Sequence, residues 1–467
     1  MRGISSREKI MSFWNVGKIT EILGGELIGD PTIIPKGISF NSKEILQDEC
    51  FVALRAKRNG HDFIPEALQR GASCLIVDNV VDCKVPQIKV RNTTEALQTW
   101  GQRRFEIFRP GQVFGVTGSA GKTTTKEFLS IMVSAWKTPG NFNNTIGLPL
   151  SLAFFPSNIH TAVLEMGMST AGEIKRLTEI APLDFGILTG IGHAHIENFS
   201  DGLRGIARAK GELVEGIKNR GAWVYPEEDA NCQWIAVQPW SQHCCALPVG
   251  PTSSRRILNH ESKGLLGESF IYRGPHHEFS VQIQLKGKHH VINAALAIAI
   301  ALESGLSEER AISGAFALTP EEGRGKIHHL AHGGVLLDES YNASPESIIA
   351  TAIGLKGLPG GELVAVLGSM RELGQSAVQQ HEAVGSHLKA LGFHRLLCYG
   401  DFATYLSKGF GKGSKSFPSF VDLKDGADGL GSIPAGSRIL VKGSRYWKCE
   451  QAVEWILNAN QNTIKSP

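Results

Sequence analysis

Along this chain, short apolar runs closed by glycine, asparagine or a charged residue alternate with stretches whose apolar positions recur every three to four residues. Strand-like and helix-like periods in alternation predict an α/β protein built on parallel sheets. The rest is arranged around VFGVTGSAGKTTTKEFLSIMVSAW, from Val113 to Trp136. Val113–Val116 reads as a buried strand and Gly118-Ser119-Ala120-Gly121-Lys122-Thr123 as a loop of small residues. Phe128, Leu129, Ile131, Met132, Ala135 and Trp136 then mark the apolar face of a helix.

Ahead of this stretch, the pattern predicts two short strands around the polar turn Asn41-Ser42-Lys43, then a helix and the strand Cys74–Val77. The turn Phe108-Arg109-Pro110-Gly111 closes a first domain, residues 1–107. A central domain, 108–320, adds strands at Ala162–Leu164 and Gly186–Thr189. It continues with a helix within Asp201–Ile217, short strands over 222–285 with Trp234 and Trp240 packed, and a helix over Ala294–Leu302. Thr319-Pro320-Glu321-Glu322-Gly323 marks the second boundary. Residues 321–467 then repeat the βα alternation, with strands at Val335–Leu337, Leu363–Leu367, Leu396–Cys398 and Ile439–Val441. That predicts a second parallel sheet of Rossmann-like type.

Candidate chemistry collects where these strands end. Strand, glycine loop and helix in that order form a phosphate-binding loop. Glycines let backbone N–H groups approach the phosphates, and the helix start adds positive charge. Lys122 can reach the terminal phosphates and Thr123 can hold Mg2+. The general pattern has glycine where Val116 stands, so the motif is shortened. Glu165 ends its strand at the edge where α/β sheets bind ligands, as a magnesium ligand would. In Gly192-His193-Ala194-His195-Ile196-Glu197 one histidine is expected at a nucleotide–metal site; thiolates at zinc spacing are absent. The Asn- and Gly-rich run 140–149 is either turn chemistry or a source of amides for a polar ligand.

The least expected feature lies at Lys210. Leu203, Ile206, Leu213 and Ile217 form an apolar stripe at helical spacing, and Lys210 fills its missing position. Such a lysine either snorkels from the stripe's edge or is neutral. A neutral amine can add carbon dioxide and become an anionic carbamate that binds metal. Asn293 either caps its helix or meets a nucleotide base. The loops 338–345 and 442–445, both at strand ends, are rich in polar groups.

Composition adds bounds. The 467 residues exceed one ordinary core, in keeping with three domains. Apolar content of 42% and charged content of 20% describe a soluble globular chain. A net charge of +3 gives no field for nucleic acid. No apolar run approaches the roughly 20 residues that span a bilayer, and the first residues lack a signal-peptide core. Eight scattered cysteines without a C-x-x-C pair predict reduced cytoplasmic thiols.

T-G-S-A-G-K-T, G-N-F-N-N-T-I-G-L-P, A-R-A-K-G-E-L, D-E-S-Y-N-A-S-P-E-S and L-V-K-G-S-R occur in this order. Together they resemble the Mur ligases of peptidoglycan synthesis over nearly the whole length. Within that family they resemble the branch that adds D-alanyl-D-alanine to UDP-N-acetylmuramoyl-tripeptide. The resemblance implies a small α/β UDP-binding domain, a central ATPase domain and a C-terminal domain that closes over nucleotide and dipeptide. It implies ATP contacts from Gly118, Ser119, Ala120, Gly121, Lys122, Thr123, Thr124, Asn293, Arg324, Asp338 and Glu339. Mg2+ would be held by Thr123, Glu165, His195 and carbamylated Lys210. Ser42, Lys43, His61, Asn143, Asn144, Tyr341, Asn342, Ser344, Lys442, Ser444 and Arg445 would meet the other substrates. Lys122, Lys210, His195 and Arg324 would carry the catalysis. Lys43, His290, Ser344 and Ser369 stand where the family usually has arginine, asparagine, asparagine and aspartate, and Gly325 where it has an apolar residue.

The implied reaction activates a carboxylate with ATP as an acyl phosphate, which the dipeptide amine then attacks. A cytoplasmic monomer without nucleic-acid or membrane partners is expected. Rival readings are a sibling ligase, a folylpolyglutamate synthase, or, in another class, a nucleotide-dependent switch or scaffold. A switch would leave Glu165, His195 and Lys210 without a joint purpose.

Overall fold

A computed structural model describes residues 14–56, 58–330, 333–426 and 434–462. The described residues fall into two compact units. One is drawn from Met1–Phe114, Trp136–Gly167 and Glu173–Leu183, the other from Gly115–Ala135, Met168–Gly172 and Asp184–Pro467. Both are α/β, as the alternating periods predict.

The first unit holds β1 (Glu26–Ile28), β2 (Ile38–Ser39), β3 (Cys50–Val52), β4 (Cys74–Val77) and β5 (Gln87–Lys89) in the order β1-β5-β4-β3-β2. Only β1 runs antiparallel to its neighbour. The two strands around the polar turn thus pair in parallel rather than as a hairpin. Alternate residues serve opposite faces. Cys50, Val52, Cys74 and Ile76 pack with Trp100 of the helix Thr93–Ile107, while Phe51, Leu75 and Val77 pack with Ile64 and Ala67. Asn92 caps that helix by accepting from the Thr94 and Glu95 amides. The opening residues of β6 (Gln112–Thr117) belong here too, with β7 (Trp136–Lys137) paired in parallel to β8 (Thr161–Glu165).

In the second unit β6 continues from Gly115, beside β9 (Leu183–Leu188), β10 (Ile217–Pro226) and β11 (Cys245–Val249) in the order β11-β10-β9-β6. β12 (Arg256–Ser262), β13 (Glu268–Gly274) and β14 (His277–Ile283) form a separate antiparallel sheet. The C-terminal sheet contains β15 (Lys326–His329), β16 (Val335–Glu339), β17 (Leu363–Gly368), β18 (Arg395–Tyr399), β19 (Ser414–Phe417) and β20 (Arg438–Lys442). Its order is β15-β16-β20-β17-β18-β19, and all but β15 are parallel. Leu337, Leu367 and Leu440 face one core and Leu336, Val366 and Val441 the other. Burial on both faces is why these strands read as unbroken apolar runs.

Three boundaries differ from the periodicity. The helix Lys122–Met132 stops before Ala135, because Ser134 adopts φ 52 and Trp136 enters β7. The helix Leu203–Glu215 ends at Gly216, so Ile217 opens β10 instead of completing the stripe. The helix Lys288–Glu303 begins two turns early, so Asn293 lies inside it and caps nothing. Among the described residues no helix is long and apolar enough to cross a membrane.

Candidate active site

The second unit contains the glycine loop. A Cβ on Gly118 (φ +152) would lie 1.9 Å from Thr189 Oγ1, and one on Gly121 (φ +81) 2.7 Å from Asn293 Oδ1. Only glycine lets the backbone pass there. Thr189 donates from its amide to Thr117 O (2.9 Å) and from its hydroxyl to Ala120 O. Ser119 Oγ accepts from Gly192 N (2.8 Å) and donates to Gly192 O (3.0 Å). The loop is therefore clasped by residues 189–192. No side chain caps the helix that begins at Lys122, among the described residues. Its first amides and partial positive charge face the loop, the arrangement that suits a phosphate. Lys122 Nζ donates back to Gly118 O at 2.8 Å. Val116, at the position of the missing glycine, is buried inside β6.

Lys210 is 1% exposed, between Ile206 and Leu213 at 0%. It does not snorkel. Burial drives its pKa far below the usual lysine range, and the Lys122 charge pushes the same way. The next residue, Gly211, lies under Trp240, where a Cβ would sit 2.5 Å from the indole. Trp240 meets Trp234 edge-on at 6.3 Å, and Arg208 and Arg204 stack over the two indoles at 4.5 Å. Asp229 joins this region to the clasp. Its Oδ1 accepts from Asn231 N (2.9 Å) and Cys232 N (3.0 Å), and its Oδ2 from Ile191 N (2.6 Å).

Both histidines of the His-x-His run meet carboxylates. His193 Nδ1 is 2.5 Å from Glu346 Oε1, and His195 Nδ1 is 2.6 Å from Glu372 Oε2. Burial pushes the Glu346 carboxyl up, but the His193 side-chain contact, two backbone hydrogen bonds and the His193 charge together hold it below its usual range. The His195 contact holds Glu372 below its usual range against burial. Sequence reading passed over Asp229, Glu346 and Glu372. The signal for the last two was their place after strands of a parallel sheet, Glu346 in the first turn of the helix that follows β16 and Glu372 in the loop after β17.

The loops after β16 and β20 bring further groups together. Glu339 is paired with Lys442 at 3.0 Å and lies 3.9 Å from His290 Nε2. Burial raises its carboxyl, yet Lys442, His290 and His289 together outweigh burial and hold it well below the usual carboxylate range. Donor atoms of His289, His290 and Glu339 fall within 4.8 Å of one another. Lys442 already neutralises the carboxylate, so the group lacks the net negative charge a divalent cation favours. Asp338 accepts from Gly323 N (2.8 Å) and Ser340 N (3.0 Å), fixing the chain at the predicted second boundary. The Arg324 guanidinium stacks on Tyr341 at 3.9 Å, with Arg445 5.7 Å from the same ring. Asn342 is exposed and Ser444 buried. Ser344 caps the helix Pro345–Lys356 reciprocally with Ser347, and Ser369 is buried between Tyr399 O and Phe402 N. Both substituted residues thus have local structural work.

In the first unit Glu165 is 2% exposed, accepts from Asn143 Nδ2 at 2.8 Å, and donates its amide N–H to the Thr138 hydroxyl (3.0 Å). Asn144 accepts from the amides of Ile146 and Gly147 and so fixes the turn into the helix Gly147–Leu152. Ser42 donates to Glu66 at 2.6 Å, Lys43 is exposed, and His61 Nε2 lies 3.1 Å from Asp78.

Two family models match the sequence: the Mur ligase middle domain over residues 116–301 and the Mur ligase glutamate ligase domain over 323–445. The UDP-N-acetylmuramoyl-tripeptide--D-alanyl-D-alanine ligase of Bacillus subtilis (strain 168) is 31% identical, over 95% of this chain and 98% of its own. A crystal structure of MurF from Acinetobacter baumannii superposes with a TM-score of 0.84 at 28% identity, covering 95% of this chain and 99% of that one. MurF ligase from Thermotoga maritima in complex with ADP gives 0.79 at 26%, covering 91% and 98%. Similarity of this depth, carried through both matched domains, means that the chain belongs to the Mur ligase family of ATP-dependent ligases.

Proposed function

We propose that this chain joins D-alanyl-D-alanine to UDP-N-acetylmuramoyl-tripeptide at the expense of ATP. A cytoplasmic setting, where such a precursor is made, belongs to the same reading. The observation that carries it is a buried lysine, its pKa lowered by desolvation and by the charge of the phosphate-loop Lys122, in a chain similar to such ligases over nearly its whole length. Sibling acceptors are less well supported, because the relatives near 30% identity over nearly the whole chain are of this one branch.

The residues fit the groups the reaction needs. Gly118 and Gly121 open a backbone cradle that a Cβ would fill, and the uncapped helix behind it suits the phosphates of ATP. Lys210, whose pKa burial lowers, can add carbon dioxide through its neutral amine: one N–C bond forms and one proton leaves. In our reading Thr123, Glu165, His195 and that carbamate hold Mg2+. The cation supplies charge neutralisation along the phosphates. Asn293 meets the adenine, and Asp338 and Glu339 lie on the ribose side. Lys122 and Arg324 neutralise the moving phosphoryl group, with Tyr341 holding the guanidinium in place. The substrate carboxylate takes the terminal phosphate of ATP and ADP leaves. The dipeptide amine then forms the C–N bond, phosphate departs and the amine loses a proton. We assign Ser42, Lys43 and His61 to the UDP end, and Asn143, Asn342, Ser344, Lys442, Ser444 and Arg445 to the peptide substrates. The three domains, 1–107, 108–320 and 321–467, would close to keep water from the acyl phosphate.

The test is phosphate release with ATP, Mg2+ and UDP-N-acetylmuramoyl-tripeptide, with and without D-alanyl-D-alanine. Release that requires the dipeptide, with a product heavier by one dipeptide less water, is expected. Turnover with a single amino acid instead would move the chain to a sibling branch. Nucleotide binding without turnover of any amine would point to a switch or scaffold.

A further inference from the structure

We propose that Glu372 is a positioning residue of the metal site, the carboxylate that turns His195 so that its Nε2 faces the cation. The inference rests on the reading that His195 is a magnesium ligand. An imidazole has two ring nitrogens, and a metal takes one of them as a lone-pair donor. Which one is free depends on what engages the other. Here Glu372 Oε2 stands 2.6 Å from His195 Nδ1. His195 Nδ1 makes no aligned hydrogen bond as it stands; a turn of the ring toward the carboxylate would hold the proton on Nδ1 and leave Nε2 bare. Metal-bound histidines commonly have such a partner, and it also raises the basicity of the ring.

Three further observations separate this contact from a chance surface pair. His195 (φ 66) and Glu372 (φ 65) both adopt the left-handed conformation that residues with a Cβ seldom take. Two unfavourable backbones thus bring these side chains together, and such outliers concentrate at functional sites. The loop that follows Glu372 is seated closely: a Cβ on Gly374 would lie 2.7 Å from Glu197 Cβ. And the Glu372 carboxylate lies in the field of Lys122 of the phosphate loop as well as that of His195 and Arg371. Because Glu372 follows β17, His195 is oriented only while the C-terminal sheet is seated on the 190–198 loop. That would couple assembly of the metal site to domain closure.

Glu346 provides the control. It grips the same loop through His193, and Lys122 is not among the groups acting on it. The experiment measures binding of Mn2+, standing in for Mg2+, by electron paramagnetic resonance on the full chain with ADP. Wild type is compared with Glu372→Ala, Glu372→Gln, Glu346→Ala and His195→Ala. Glu372 is 50% exposed, so its loss does not open the core; a thermal melt checks the fold of each variant. We expect Glu372→Ala to weaken Mn2+ binding by about 10- to 100-fold and Glu346→Ala by less than about threefold. Glu372→Gln keeps an acceptor oxygen and should recover most of the affinity. ADP affinity without metal should stay the same throughout. Wild-type Mn2+ affinity in Glu372→Ala, with loss in His195→Ala, would overturn the role of Glu372 alone. Equal weakening by Glu346→Ala would overturn it too, reducing the contact to loop docking. Wild-type affinity in His195→Ala would remove the underlying metal reading and the inference with it.

Discussion

A lysine ammonium enclosed by isoleucine and leucine has lost its water and gained no carboxylate to replace it, so the neutral amine is favoured. Lys210 is in that position, and this has a consequence for stability. The folded chain releases the Lys210 proton at a lower pH than the unfolded chain does. Between the depressed folded value and the usual lysine value, the unfolded state therefore binds more protons, and stability rises with pH. Stated as a cost, burying Lys210 is most unfavourable at low pH and fades as pH approaches the usual lysine range. Lys210→Met should accordingly stabilise the protein in carbon dioxide-free buffer, and by more at pH 7 than at pH 10. Paired thermal melts would show it; a gain that grows with pH would contradict the assignment. The same variant should lose about 10²- to 10³-fold in turnover, as removal of one transition-state stabiliser does, while still binding ATP.

At the scale of elements, the phosphate loop, the 189–192 clasp and the helix Ala230–Ala236 are joined through Asp229. One carboxylate oxygen caps the helix and the other holds the Ile191 amide. Asparagine has a single acceptor oxygen, so Asp229→Asn can serve one partner and not both. It caps a helix about as well as aspartate, which leaves the Ile191 N–H facing an amide NH2. We expect a loss of about 1–3 kcal/mol for the orphaned amide and a raised KM for ATP. Asp229→Ala should lose about 1 kcal/mol more as the cap goes as well. Urea unfolding and initial rates measure the two effects. A stability loss with unchanged KM would make Asp229 a cap and nothing more.

At the scale of the molecule, many candidate groups in the second unit sit at or just after the ends of β6, β9, β16, β17 and β20. A ligand that contacts several of these loops binds only the folded arrangement and stabilises it by mass action. ATP with Mg2+ at a hundred times its dissociation constant should add about 2.7 kcal/mol. Calorimetry should record that as an upward shift in the unfolding transition. Chelating the metal with EDTA should remove most of the shift and stop phosphate release, and added Mg2+ should restore both. A shift indifferent to EDTA would argue against a metal-dependent site.

The sequence by itself determined what depends on neighbours along the chain. Strand, glycine loop and helix were legible at Val113–Met132 because phosphate loops are built from consecutive residues. The parallel strands were legible because burial on both faces leaves only apolar residues in them. Lys210 could be singled out because a helix repeats its face every three to four residues, although the last member of the stripe, Ile217, lies beyond the helix. The fold decided what depends on distant segments. That Lys210 is enclosed rather than snorkelling follows from what covers its helix. That Asn293 lies within a helix follows from Gly287, two turns upstream of the expected start. Glu346 and Glu372 are ordinary acidic residues in sequence, more than 150 positions from the histidines they touch. Their charge is a local property, but the 2.5–2.6 Å contacts exist only because the C-terminal sheet delivers its loops to the same place as the 190–198 loop.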